Sequence, residues 1–334
     1  MALIRRLIAV PAVAALAAGA CAESTAPSAV DPSAMATAVN GLSGAFSGNA
    51  AFQSLSVLSK NFTLTAAGAA QRAPRRGLAD RAPVATLALF PANVLGKTFV
   101  WDTAAGGKYR IVDSTLAGAP SAGVRFWLYV TNTATGRPAL PLQKIGYVDL
   151  IDVSTPQANA IRVPIQFGSQ SIADYTITGV KTTTSLTLTA SGYITDGVSQ
   201  TVFDMSHQIS LADSSVVLHD HVTGNGTSVS LSTSASGSGG TGALQLDWLV
   251  AKNNATIEVA GSGTATSVNL QFKFNGTTWA TVSGNPSATP SITGANGRQL
   301  TAAELVALGQ ILQGLYAIYG SLDSVFAPSF LVFR

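Results

Sequence analysis

The stretch Phe203–Val222, FDMSHQISLADSSVVLHDHV, decides the fold and holds every histidine of the 334-residue chain. Phe203, Met205, His207, Ile209 and Leu211 alternate with Asp204, Ser206, Gln208 and Ser210, the period of a strand with one face on a core. A polar break, Ala212–Ser215, follows, and Val216–Val222 then alternates again, as a returning strand does. Hairpin register has to bring apolar faces together. Pairing Leu211 with Val216 sets Ile209 opposite Leu218, Met205 opposite Val222 and His207 opposite Asp220. His219 and His221 then project from the other face, beside Gln208 and Ser206.

The same period extends outward. Val124, Phe126, Leu128 and Val130 share one face of VRFWLYV, Val229 and Leu231 alternate with Ser in SVSLSTS, and Val268, Leu270, Phe272 and Phe274 alternate with polar residues in SVNLQFKF. Asn225-Gly226, Asn253-Asn254 and Asn275-Gly276 lie between such runs, the residues that tight hairpin turns require. About a dozen strands joined mostly as hairpins are expected between residues 85 and 290. The fold class is therefore mainly β, an antiparallel meander in a curved sheet, half-barrel or barrel-like.

Both flanks read as helical. Asp31-Pro32 opens a helix as cap residue and first helical position, with Met35, Val39, Leu42 and Phe46 at helical spacing. Phe52, Leu55 and Leu58 suggest a second short helix, followed by a basic loop, QRAPRRGLADR, within the segment 32–84. In the C-terminal segment 291–334, Thr301 and Glu304 have capping-box spacing. Leu305, Leu308, Leu312, Leu315, Tyr319 and Leu322 form a stripe that needs a sheet to cover. A helix held against a curved sheet is similar, by fold analogy alone, to the half-barrels of periplasmic lipid-carrier lipoproteins.

The N-terminus gives the cellular address. Arg5 and Arg6 precede an apolar run, Leu7–Ala18, and then small residues, the pattern of a signal peptide over 1–20. Ala18-Gly19-Ala20-Cys21 resembles the lipobox of bacterial lipoproteins, and Cys21 is the chain's single cysteine. The resemblance implies lipidation of Cys21 and a tether over 21–31. With Ala22 and not Asp in the next position, it favours the outer membrane over the inner. No run elsewhere approaches the ~18 apolar residues of a membrane-spanning helix. With one cysteine, no disulfide stabilises the exported portion.

Charged residues make up only 10% of the chain, and Thr182–Ala251 carries five Asp and no Lys or Arg. No basic face is available to nucleic acid. For catalysis, His207 with Asp220 would be half of a triad, but no Gly-x-Ser-x-Gly supplies a nucleophile, so a buried polar pair is the expectation. The register divides the histidines between two faces, which opposes a three-His zinc site. His219 and His221 remain weak metal candidates. Gly96-Lys97-Thr98 lacks the earlier Gly of a phosphate loop, since Pro91 stands there. Asp149 and Asp152 fall on opposite faces of one strand. Arg125, Trp127 and Tyr129 share a face that could stack a sugar or pack beneath a helix, packing being the expectation, and Trp101, Trp248 and Trp279 are equally consistent with core roles. Neither an enzymatic activity nor a cofactor is indicated. The leading expectation is a lipid-anchored envelope protein binding an apolar small molecule in the concavity of its sheet. The alternative is a structural or partner-binding envelope lipoprotein.

Overall fold

A computed structural model describes residues 32–50, 54, 55, 58, 89–104, 106–111, 118–132, 134–213, 215–237 and 242–329. The signal peptide, Cys21, the tether and the basic loop lie outside these residues. The strands are β1 (Thr98–Asp102), β2 (Lys108–Ile111), β3 (Gly123–Tyr129), β4 (Thr131–Asn132), β5 (Arg137–Pro138), β6 (Lys144–Asp152), β7 (Asn159–Phe167), β8 (Gln170–Lys181) and β9 (Ser185–Thr195). There follow β10 (Gln200–Ser210), β11 (Val216–Gly224), β12 (Thr227–Ser236), β13 (Ala243–Lys252), β14 (Ala255–Thr264), β15 (Val268–Phe274), β16 (Thr277–Gly284) and β17 (Ser291–Gly294). The helices are α1 (Pro32–Ser47) and α2 (Ala302–Val325).

The fold is mainly β. Fifteen strands form one open antiparallel meander in nearly sequential order, with β17 and β2 as its edges, and β4 and β5 pair separately. One pair departs from the antiparallel expectation, because β1 runs parallel to β3. Among the described residues the first strand begins at Thr98, and 89–97 precede it without strand. The last, β17, lies within the segment 291–334 read as a helix and tail, and a short 3₁₀ turn at Ala295–Gly297 separates it from α2. The chain divides into two compact units: residues 1–44, 181–187 and 201–319, and residues 45–180, 188–200 and 320–334.

In the first unit, alternation along β10–β16 sends Phe203, Met205, Val222, Val229, Val250, Ile257, Val259 and Phe272 inward, all essentially inaccessible. Asn225, Asn253 and Asn275 have φ values of 52°, 54° and 47°, with Gly226 and Gly276 also at positive φ. These are the left-handed turns that Asn and Gly adopt at least cost. Two helices cover this face. Trp248 stacks on Tyr319 of α2 with ring centroids 6.2 Å apart. At Gly314 of α2 a Cβ would stand 2.5 Å from Val39 Cγ1 and 2.8 Å from Asn40 Oδ1 of α1. Glycine at this position lets the two helices approach.

The buried stripe of α2 is rotated from the expected one. Ala307, Leu308, Ile311, Leu315, Ile318 and Leu322 are buried, whereas Leu305, Leu312 and Tyr319 lie at its margins. So many apolar residues surround this helix that spacing alone does not fix its inner face. By length and composition it could also cross a membrane, contrary to the expectation of no such run.

The start of α2 is pinned by one carboxylate. Glu304 Oε2 accepts from Thr301 N at 2.9 Å, and Glu304 N donates to Thr301 Oγ1 at 3.3 Å, completing the expected capping box. Trp279 Nε1 and Arg298 also donate to Glu304, at 3.1 Å and 2.9 Å. The guanidinium of Arg298 first, and the amide, indole and hydroxyl donors after it, hold the Glu304 carboxyl at about 2.

In the second unit the apolar face of β1–β3 buries Phe99 stacked on Phe126, with centroids 4.7 Å apart, and Trp101 edge-on to Tyr109 at 5.4 Å. A register irregularity interrupts alternation between Leu128 and Tyr129. Tyr129 is consequently buried, and its phenol bonds the backbone of Trp101.

Candidate functional site

The β10–β11 ladder carries the three histidines in a register two residues from the expected one. Ile209 pairs with Val216, His207 with Leu218, Met205 with Asp220, Ser206 with His219 and Asp204 with His221. The loop explains the difference. Ser210 N bonds Ser215 O at 2.8 Å and Asp213 Oδ1 accepts from Ser215 N at 3.0 Å. Leu211, expected in the ladder with Val216, instead donates its N–H to Thr184 O and is exposed. An even shift preserves faces, so His207 points inward and His219 and His221 outward.

Inside, His207 Nε2 lies 2.8 Å from Asp220 Oδ1, each residue 3% exposed. The pair forms along a diagonal of the ladder, not between direct partners. Asp220 Oδ2 has no hydrogen-bond partner among the described residues. On the neighbouring strand, the Thr233 hydroxyl is engaged by Trp248 Nε1 at 2.9 Å. This geometry suits a buried polar link in the core.

Outside, four strands build a polar face. His219 stands between Ser206 and Ser232, His221 between Asp204 and Ser230, and Asp247 lies beyond Ser232 on β13. These side chains line a shallow hollow of about 390 Å³, with Leu249 as an exposed apolar neighbour. The His221 ring is held on both sides: Nδ1 lies 2.9 Å from Ser230 Oγ and Nε2 lies 3.1 Å from Thr223 Oγ1. A metal at His221 would have to displace one of these hydroxyls. Among the described residues no three His, Cys, Asp or Glu side chains are placed to hold a metal ion. The arrangement offers two carboxylates as acceptors, with hydroxyls and imidazoles that both donate and accept. Asp204, Asp247 and Ser232 were not singled out in the sequence; only the register across four strands brings them to the two histidines.

The other polar candidates are held in ion pairs, hydrogen bonds and ring contacts. Arg125 makes a two-pronged pair with Asp149, at 2.7 Å and 2.8 Å, and its guanidinium sits 3.7 Å above the Tyr147 ring. The bond to Asp149 raises the Arg125 pKa further above its ordinary value. Trp127 lies edge-on to Tyr147 with Lys144 over its ring. Asp152, on the opposite face from Asp149, accepts from Leu89 N and Ser154 N. Comparison of the chain with protein-family models, with curated proteins and with solved structures gives no match.

Proposed function

We propose that the chain is an exported envelope lipoprotein, anchored through Cys21 on the outer membrane, that works as a binding module for a hydroxyl-rich partner such as an envelope glycan. The observation that carries this reading is the position of the ligand-sized hollow. It opens on the polar face at His219 and His221, while the opposite face of the same strands is filled by helix side chains. Val222, Val229, Val250, Ile257, Val259 and Phe272 on that face each have 0% exposure. That favours a partner-binding role over an apolar-ligand carrier. A sugar presents the alternating donors and acceptors that Asp, Ser and His side chains satisfy, and the shallow shape suits part of a polymer.

The test is titration of the full protein with fragments of envelope glycan, following the His219 and His221 ring signals by NMR. Shifts confined to these two rings, and lost in Asp204→Ala and Asp247→Ala, support the reading. Absence of shifts, together with a co-purified apolar mass in native mass spectrometry, would return the apolar-ligand role. The same mass spectrum tests the anchor, through a diacylglycerol increment that disappears in Cys21→Ala.

A further inference from the structure

Large apolar side chains are exposed where turns cluster at one end of the second unit's strands. Leu140 is 71% exposed and Leu142 37%, in the link between β5 and β6; Phe167, at the β7–β8 turn, is 42% exposed, and Val198, in the turn after β9, is 94% exposed. Their neighbourhood follows from the register. Tyr129 pairs with Lys144, Gly146 with Phe167, and Phe167 with Gln170. Gly168 N bonds Ile145 O, tying the Phe167 turn to the start of β6. The Gln170 side chain lies 3.4 Å from where a Cβ of Gly197 would be, which brings the Val198 turn alongside.

The opposite end of the same strands differs. The turn between β6 and β7, Ser154-Thr155-Pro156-Gln157, is polar, and the exposed apolar residues at this end are Val153 and, at the close of β8, Val180, 40% and 42% exposed against 71% and 94% for Leu140 and Val198. Exposed Arg137 and Lys144 flank Leu140 and Leu142, and no carboxylate occurs between Val130 and Val148. Asp196 is the acid of the Val198 turn, and its carboxylate is occupied by the N–H groups of Val198 and Ser199, at 2.9 Å and 2.7 Å.

We propose that this end of the strands is a membrane-contact edge, whose apolar turn tips enter the headgroup region of an anionic lipid surface while Arg137 and Lys144 pair with lipid phosphates. Single side chains projecting from separate turns can each enter a lipid surface without a complementary pocket. A protein partner would instead select one contiguous packed patch, whereas Leu140, Phe167 and Val198 stand on three separate turns. The cations supply the attraction to anionic lipid, which salt screens. The edge presumes the envelope location proposed above but needs no acyl chain on Cys21, so the two ideas fail separately.

Cys21 is the only cysteine, so a full chain carrying Cys21→Ala accepts one probe at a chosen site. An environment-sensitive fluorophore is attached through Val198→Cys, Leu140→Cys or Gln157→Cys, and vesicles of phosphatidylglycerol and phosphatidylcholine with brominated acyl chains are added. The expected result is quenching and a blue shift at 198 and 140, none at 157, and weakening at high salt. With the probe at 198, Leu140→Ser lowers the partition coefficient by about tenfold, the scale of burying one leucine side chain. Equal quenching at 157, vesicle binding without quenching at 198 and 140, or no vesicle binding would each overturn the proposal. So would a probe response that follows protein concentration and not lipid, which would mark a protein contact.

Discussion

His207 and Asp220 meet at 2.8 Å across a diagonal of the β10–β11 ladder, although their direct cross-strand partners are Leu218 and Met205. Both lie on the core side, so each depends on the other for satisfaction of a buried polar atom. Removing one member while leaving the other costs more than removing both, because the survivor keeps its desolvation cost. Asp220→Leu or His207→Leu alone is expected to destabilise the protein by about 3–5 kcal/mol. The double replacement His207→Leu, Asp220→Leu recovers much of that loss. Urea unfolding midpoints of the three variants, with slopes unchanged, check it. Additive losses would show that the two side chains do not act as a pair.

Glu304 predicts an acid dependence. Its folded carboxyl titrates at about 2, below its ordinary 4.5, chiefly because Arg298 bonds the charged form. A depressed carboxyl contributes stability that is fully present above the unfolded value and is lost as pH falls from there through the folded one. The melting temperature should therefore decline between roughly pH 5 and pH 2 more steeply in the natural protein than in Glu304→Gln. Equal slopes would remove Glu304 from the acid response. At pH 7 the variant should also be less stable by about 1–3 kcal/mol, through loss of charge-assisted bonds and of the capping box.

Part of this architecture was legible in the chain and part was not, for identifiable reasons. Alternation at Phe203, Met205 and His207 told which way each side chain points, and Asn225-Gly226 and Asn275-Gly276 marked turns by a backbone need that few other residues meet. Thr301 and Glu304 announced the helix start. The β10–β11 register was not legible, because a two-residue slip leaves every side chain on the same face and the apolar pattern cannot detect it. It depended on the Ser210–Ser215 closure and the Asp213 turn. The inner face of α2 was hidden for the opposite reason, with apolar residues on nearly every side. Arg298 and Trp279 reach Glu304 only through the fold, and the polar hollow needs four strands in register before Asp204 and Asp247 join His219 and His221.

Gly314 is a close contact between the helices, with α1 atoms 2.5 Å and 2.8 Å from where a Cβ would stand. Helix propensity alone would make Gly314→Ala favourable by about 0.5–1 kcal/mol. The collision with Val39 reverses the sign, since forcing atoms into a packed contact costs about 1–3 kcal/mol. Gly314→Ala is expected to lower the melting temperature. Val39→Ala in the same chain relieves the clash and restores part of the loss. A rise in melting temperature for Gly314→Ala alone would mean that the helices separate at little cost.

Arg125 shows where a conservative exchange is not conservative. Its planar head makes two bonds to Asp149 and lies on the Tyr147 ring, and an ammonium cannot reproduce both. Arg125→Lys should destabilise by about 1–2 kcal/mol, and pairing it with Asp149→Asn should add less than the sum of the single effects. By contrast, the residues of the polar hollow stand at the surface. Asp204→Ala and Asp247→Ala are each expected to change stability by no more than about 0.5 kcal/mol while removing the proposed glycan response at His219 and His221. Thermal melts of the same samples used in the NMR titration measure both quantities. Loss of stability in step with loss of the response would move Asp204 and Asp247 from binding to scaffold.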